Sequence, residues 1–339
     1  MKERMSYYDL LRGLAIIGVV AIHSTWIGYT INDTSFYFNF TVIWRQVLNF
    51  SVPLFLTISG FFLANIETNT IESYLKFVSK QVQRVLIPYL LWCIVYLGID
   101  YLRGISFSNL AYRLFTFSPI IPFYFIILII EYYFLLPILQ KLATVNGLTV
   151  SACISGLCCF LVFYFRYYTE IRLPLFVTSS APSWLIFFVL GIYLRNNVIK
   201  LSNSVLIFLL ISGLAFSLIE TYILYYKFHD IVESVTALKI SSFVYSVFII
   251  LLAFKNSDKK CIKAKYVVCI GEISFGIYLS HMFFMDRINS LILKTLPILK
   301  ERALLYQFIL IALTLSCCIL FALIARRINK AKAVKYLGQ

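Results

Sequence analysis

The run from Ala303 to Ala325, ALLYQFILIALTLSCCILFALIA, contains no Asp, Glu, Lys or Arg. About 20 mostly apolar residues are enough for a helix to cross the hydrocarbon core of a bilayer, so this stretch alone predicts a transmembrane helix. It is followed at once by RRINKAKAVK, with Arg326, Arg327, Lys330, Lys332 and Lys335, the kind of cationic flank that stays on the cytoplasmic side. The rest of the 339-residue chain has the same character: 61% of residues are hydrophobic, 13% are charged and the mean hydropathy is +0.88. A soluble domain carries roughly 25% charged residues, so composition predicts a protein embedded in lipid. The 31 Phe and 24 Tyr exclude a disordered or collagen-like chain, because so much aromatic surface demands burial.

Working outward from the last span, apolar runs at 13–31, 46–64, 85–102, 121–139, 148–165, 183–194, 204–226, 240–254 and 267–285 bring the candidate spans to ten with 303–325. The expected fold is therefore all-α, a polytopic membrane helical bundle of about ten transmembrane helices. It forms a single integral-membrane domain over 1–339 with no appended soluble domain. Lys2 and Arg4 before the first run suggest a secretory signal, but no small-residue cleavage site follows and Arg12 and His23 interrupt the pattern. With the N-terminus inside, ten spans place 19 of the 30 Lys and Arg in cytoplasmic segments and 11 outside. The densest clusters, 255–265 and 326–335, both fall inside, so both termini are expected in the cytoplasm. The formal net charge of +15 is accordingly read as membrane topology and contact with lipid headgroups, not as nucleic-acid binding.

The 8 cysteines give no framework. Seven lie in or beside apolar runs, Cys261 sits in a Lys-rich loop, and no CxxC or Cys/His spacing suggests a metal site. They read as small buried hydrophobes.

Ionisable side chains within a span cost at least about 2.5 kcal/mol on insertion scales, which makes each a functional candidate. Arg12 and His23 lie eleven positions apart on the first span. That is a rise of about 16 Å and a rotation of about 1100°, so they share one face at different depths. Arg12 falls near the cytoplasmic mouth and His23 near mid-bilayer, the alternative being a snorkelling arginine and a histidine bonded to a neighbouring helix. Asp9, three residues before Arg12, either orients the guanidinium or is a solvated carboxylate. Glu131, inside YFIILIIEYYFLLP, must face the protein interior, paired with another helix or acting in catalysis. In EISFGIYLSHMFFM, Ser274, Tyr278 and His281 share one helical face, with His281 near the outer end as either an interfacial anchor or a site residue. Lys76, Lys80 and Arg84 form a stripe one turn apart, suited to phosphates or to anionic lipid.

Several of these segments together resemble the membrane-bound acyltransferase-3 family of bacterial carbohydrate O-acyltransferases. DLLRGLAIIGVVAIH is similar to the family's first-helix Arg-x10-His signature, and SVPLFLTISGFFL to its Ser-Gly-Phe segment. QVQRVLIPYLLW resembles its basic helix ending in Arg-x-x-x-Pro-Tyr, WLIFFVLGIYL a later Gly-bearing span, and ISFGIYLSH its Ser-x-x-x-Tyr-x-x-His. Two departures stand out: the Arg-x-x-Arg often found in the basic helix is here Gln81 and Arg84, with Lys80 the nearest extra cation, and Tyr124 stands where a Trp is common.

The resemblance implies an O-acyltransferase of the bacterial inner membrane. It would move an acyl group, usually acetyl, from cytoplasmic acyl-CoA to a hydroxyl of a surface glycan or a lipid-linked oligosaccharide precursor. No bound cofactor or metal is implied; acetyl-CoA or another acyl-CoA is a substrate. His23 would act as general base and Arg12 as a holder of phosphate or developing charge. Lys80, Arg84 and Ser59 would bind the donor, with Asp9, Glu131, Ser274, Tyr278 and His281 as supporting polar residues. Intramembrane polar residues by themselves also fit a transporter or export component for glycans or lipid-linked sugars.

Overall fold

The computed structural model describes residues 2–68, 70–115, 120–169, 171, 173–257 and 264–338. Lys259, Lys260, Cys261 and Lys263, used above for charge and cysteine placement, lie outside the described residues. In chain order the α-helices are α1 (Lys2–His23), α2 (Phe36–Leu48), α3 (Ser51–Leu63), α4 (Ile71–Leu102) and α5 (Phe107–Phe115). They continue with α6 (Tyr124–Lys141), α7 (Val145–Tyr168), α8 (Leu175–Thr178), α9 (Ala181–Asn196) and α10 (Asn203–Phe228). The last five are α11 (Ile231–Ser234), α12 (Ile240–Lys255), α13 (Lys265–Glu272), α14 (Ser274–Thr295) and α15 (Ala303–Lys332). No strand occurs among the described residues, and the protein is an all-helical polytopic membrane protein.

Among the described residues, eight helices are long and apolar enough to cross a membrane, and nine if the bent pair α13–α14 counts as one span. The remaining candidate, α12, has only 16 residues. Two expected boundaries move. The span expected from residue 46 begins at Phe36, because α2 and α3 form one 28-residue segment interrupted at Asn49 and Phe50. The basic stripe before residue 85 belongs to the same 32-residue helix as the span that follows it.

Local chemistry sets the helix starts. Ser35, Thr70, Thr144 and Ser202 each accept a backbone N–H three residues on, from Phe38, Ser73, Gly147 and Val205, satisfying donors that a helix start leaves orphaned. The sixth candidate span, short in the sequence reading, gains length because α8 adjoins α9 to give a largely apolar segment of 21 residues from Phe176 to Asn196.

The chain divides into two compact units. The first holds residues 1–55 and 198–324, the second 56–197 and 325–339. In the first, α1 packs along α13 and α10 along α12. Gly13 and Gly271 make the former contact possible: a Cβ at Gly13 would collide with the carbonyl of Val267, and one at Gly271 with the carbonyl of Asp9. Small residues at such crossings let helix backbones approach closely in a membrane. Immediately after Gly271 and Glu272 the chain bends by 83° into α14.

The second unit is built the same way. Gly60 of α3 lies against the carbonyl of Phe188, Gly191 of α9 lies against that of Thr57, and Thr57 Oγ1 donates to Phe187 O at 3.0 Å. The Ser-Gly-Phe and Gly-bearing segments singled out in the sequence therefore pack against each other.

Candidate active site

On α1 the buried face runs through Leu11, Ala15, Ile16, Val19 and Val20, at the spacing of one helical stripe. Arg12 lies beside that stripe and is bonded to Asp9, Nη1 to Oδ1 at 2.7 Å, with side chains 30% and 17% exposed. Asp9 thus orients the guanidinium, as one of the two sequence readings had it. The same carboxylate residue carries the backbone carbonyl against which Gly271 is packed, so α13 fixes the backbone on which the ion pair stands.

His23 closes α1. Its ring lies 5.4 Å from that of His281, centroid to centroid, with planes tilted by 41°. His281 is fully buried, which excludes the interfacial-anchor reading. The bend before α14 turns the face carrying Ser274, Tyr278 and His281 into the protein, where all three are buried. His281 Nδ1 is 2.6 Å from the carbonyl oxygen of Tyr278. A carbonyl oxygen only accepts, so Nδ1 carries the proton and Nε2 holds the lone pair. That Nε2 is buried without a hydrogen-bond partner. His23, in turn, makes no ring hydrogen bond among the described residues. Two neighbouring imidazoles with uncommitted nitrogens, enclosed in an apolar unit, are equipped to receive and pass on a proton.

The expected donor-binding residues belong to the second unit. Lys76, Lys80 and Arg84 are exposed along one face of α4. Ser59 is half-buried beside Gly60. Glu131 on α6 has a structural partner: its Oε2 accepts the backbone N–H of Ala181 at 2.6 Å. Ser180, the residue preceding α9, provides no side-chain cap, so Glu131 satisfies an orphan donor at that helix start and places negative charge at the favourable end of the helix dipole. Of the two roles read from the sequence, this bond gives Glu131 its partner on another helix, at the start of α9.

Sequence reading missed Arg45 and its surroundings. The span expected from residue 46 left Arg45 just outside the apolar run, whereas α2 carries it within the membrane-spanning segment. Arg45 Nη1 donates to Asn49 Oδ1 at 3.0 Å. Asn49, Gln46, Ser217, Thr221, Ser242 and Lys239 form a buried polar cluster in the first unit. The available signal was Ser35, a helix-start residue far enough before Arg45 to make it helical. Among the described residues no group of three or more His, Cys, Asp or Glu side chains is placed to hold a metal ion.

The acyltransferase-3 family, described as an acyltransferase domain, matches residues 5–323. The chain belongs to this family and is a multi-pass membrane acyltransferase. No curated protein and no solved structure is similar enough to this chain to count as a match.

Proposed function

We propose that the protein transfers an acyl group, acetyl being the simplest, from cytoplasmic acyl-CoA to a hydroxyl of a surface glycan or its lipid-linked precursor in a bacterial inner membrane. The observation that carries this reading is the contact between half-buried His23 and fully buried His281 in a membrane acyltransferase. His23 takes the proton from the acceptor hydroxyl while its oxygen attacks the thioester carbonyl carbon. The new C–O bond forms, the C–S bond breaks, and the proton passes from the imidazolium to the departing CoA thiolate, giving the free thiol. His281, its tautomer set by Tyr278, offers a second acceptor nitrogen beside the reacting proton. Arg12, held by Asp9, grips a CoA phosphate through charge-assisted bonds. The exposed cations Lys80 and Arg84 raise the local concentration of the anionic donor. A thioester is activated enough for this chemistry to need no metal.

The test is a comparison of surface glycans from cells with and without the chain, by mass spectrometry and NMR. Loss of one acyl substituent, restored by the wild-type gene and not by His23→Ala, is expected. Identical glycans in the two strains would overturn the acceptor assignment.

A further inference from the structure

Thr41 and Arg45 on α2 and Asn49 at its C-terminal cap, still in helical conformation, follow one another at four-residue spacing and so share a face. That face is interior. Thr41 and Asn49 are 0% and 1% exposed, and Thr41 Oγ1 accepts a hydrogen bond from Gln307 Nε2 at 2.9 Å. The charged residue between them is accordingly directed into the first unit. It is set at the level of His23 by close packing on either side: a Cβ at Gly18 would collide with the Ser51 hydroxyl and one at Gly28 with the Thr41 hydroxyl, so the stretch of chain carrying His23 runs past the middle of α2, where Arg45 stands.

One nitrogen of the Arg45 guanidinium is held by Asn49. The Asn49 amide nitrogen donates to the carbonyl oxygens of Val235 at 3.2 Å and Thr236 at 3.3 Å. Carbonyl oxygens cannot donate, so the nitrogen must face them and Oδ1 must face Arg45. The two carbonyls are themselves held. Lys239 Nζ, 5% exposed, donates to Ser234 O at 3.0 Å, to Ser217 O at 3.2 Å and to Thr221 Oγ1, tying their loop to α10. A guanidinium inside a membrane span is expensive, and the buried Lys239 braces the loop that holds its partner Asn49.

We infer that Arg45 is a catalytic residue that holds the negative charge developing on the thioester carbonyl oxygen, and that Asn49 is its positioning residue. This rests on the acyl-transfer reading above. As the acceptor oxygen bonds to the carbonyl carbon, the C=O electron pair moves onto oxygen, and the acceptor's proton moves to His23. The oxyanion then lies between a new imidazolium and a fixed guanidinium. When the C–S bond breaks, the pair returns to the carbonyl and the charge leaves with sulfur. A donor already fixed in place stabilises this charge more than the neutral ground-state ester, so its effect falls on kcat and not on donor affinity.

The experiment uses purified full-length protein in lipid nanodiscs, radiolabelled acetyl-CoA as donor, and envelope extract of a strain lacking the chain as acceptor source. Arg45→Gln should lower kcat by about 10² to 10³ while changing the acetyl-CoA KM by less than about threefold. Arg45→Lys keeps the charge and loses the planar fork; it should lower kcat by about tenfold and serves if Arg45→Gln does not fold. Asn49→Leu should lower kcat, and combining it with Arg45→Gln should add nothing, the coupling expected when one residue acts through the other. A wild-type kcat in either Arg45 variant, or a loss confined to the acetyl-CoA KM, would overturn the oxyanion role while leaving acyl transfer intact. An additive double variant would overturn the positioning role of Asn49. No transfer by the wild-type protein would overturn the acyl-transfer reading itself, and this inference with it.

Discussion

His281 presents an unpartnered, fully buried Nε2 on a ring whose centroid lies 5.4 Å from that of His23. Its other nitrogen is committed to the Tyr278 carbonyl 2.6 Å away. An unsatisfied buried nitrogen lowers stability unless function uses it. His281→Phe, which keeps an aromatic ring against His23 and removes both nitrogens, should therefore cost about 10² or more in kcat with a thermal midpoint equal to or above wild type. Parallel turnover and thermal-shift measurements check this. Lost stability with retained turnover would make His281 structural.

Gly271 sets the place of the Asp9–Arg12 pair, since its Cα faces the Asp9 carbonyl. Gly271→Ala should destabilise the protein by about 1–3 kcal/mol through overpacking, because backbone cannot yield as a flexible side chain can. The same change at Gly98, where no atom lies within 4 Å of an added Cβ, should be neutral or slightly stabilising. Denaturation midpoints of the two variants provide the comparison.

Glu131 should behave as a helix cap. Glu131→Gln retains an oxygen for the Ala181 N–H and should keep both fold and turnover. Glu131→Ala orphans that N–H and should cost about 1–3 kcal/mol of stability, with turnover per folded molecule unchanged. A hundredfold loss of kcat in well-folded Glu131→Gln would restore a catalytic role.

Much of this was legible in sequence because apolar runs announce spans and intramembrane charge is rare enough to stand out. Arg12, Asp9 and His23 were found that way, and the Asp9–Arg12 spacing allowed their contact as one of two readings. Arg45 was not legible. Its partner Asn49 is held by the Val235 carbonyl, 186 residues further along the chain, and no local pattern encodes that pairing. The 83° bend before Ser274 was hidden too, because the hydropathy of 267–285 runs through it unbroken. Gly271, just before the bend, lies against the backbone of α1, a contact no local pattern announces, and with a straight helix His281 reads as an interfacial residue. The helix-start role of Glu131 was hidden for the same reason: its partner is a backbone N–H of another helix.

The exposed stripe on α4 should act on donor capture. Replacing Lys80 and Arg84 together by Gln is expected to raise the acyl-CoA KM several-fold with little change in the acceptor KM, and added salt should raise the wild-type donor KM toward that of the variant as the attraction is screened. Kinetics at two ionic strengths decide it. An unchanged donor KM with a raised acceptor KM would assign the stripe to the glycan.

The central claim is that His23 serves the transfer of an acyl group from acyl-CoA to a hydroxyl. Its most direct test is the transfer of label from radiolabelled acetyl-CoA to envelope glycan by reconstituted wild-type and His23→Ala proteins, with insertion and folding verified for both. The account predicts label in the glycan with the wild-type protein, and a loss of about 10² to 10⁴ in rate with His23→Ala. Wild-type turnover by a folded His23→Ala variant would contradict it.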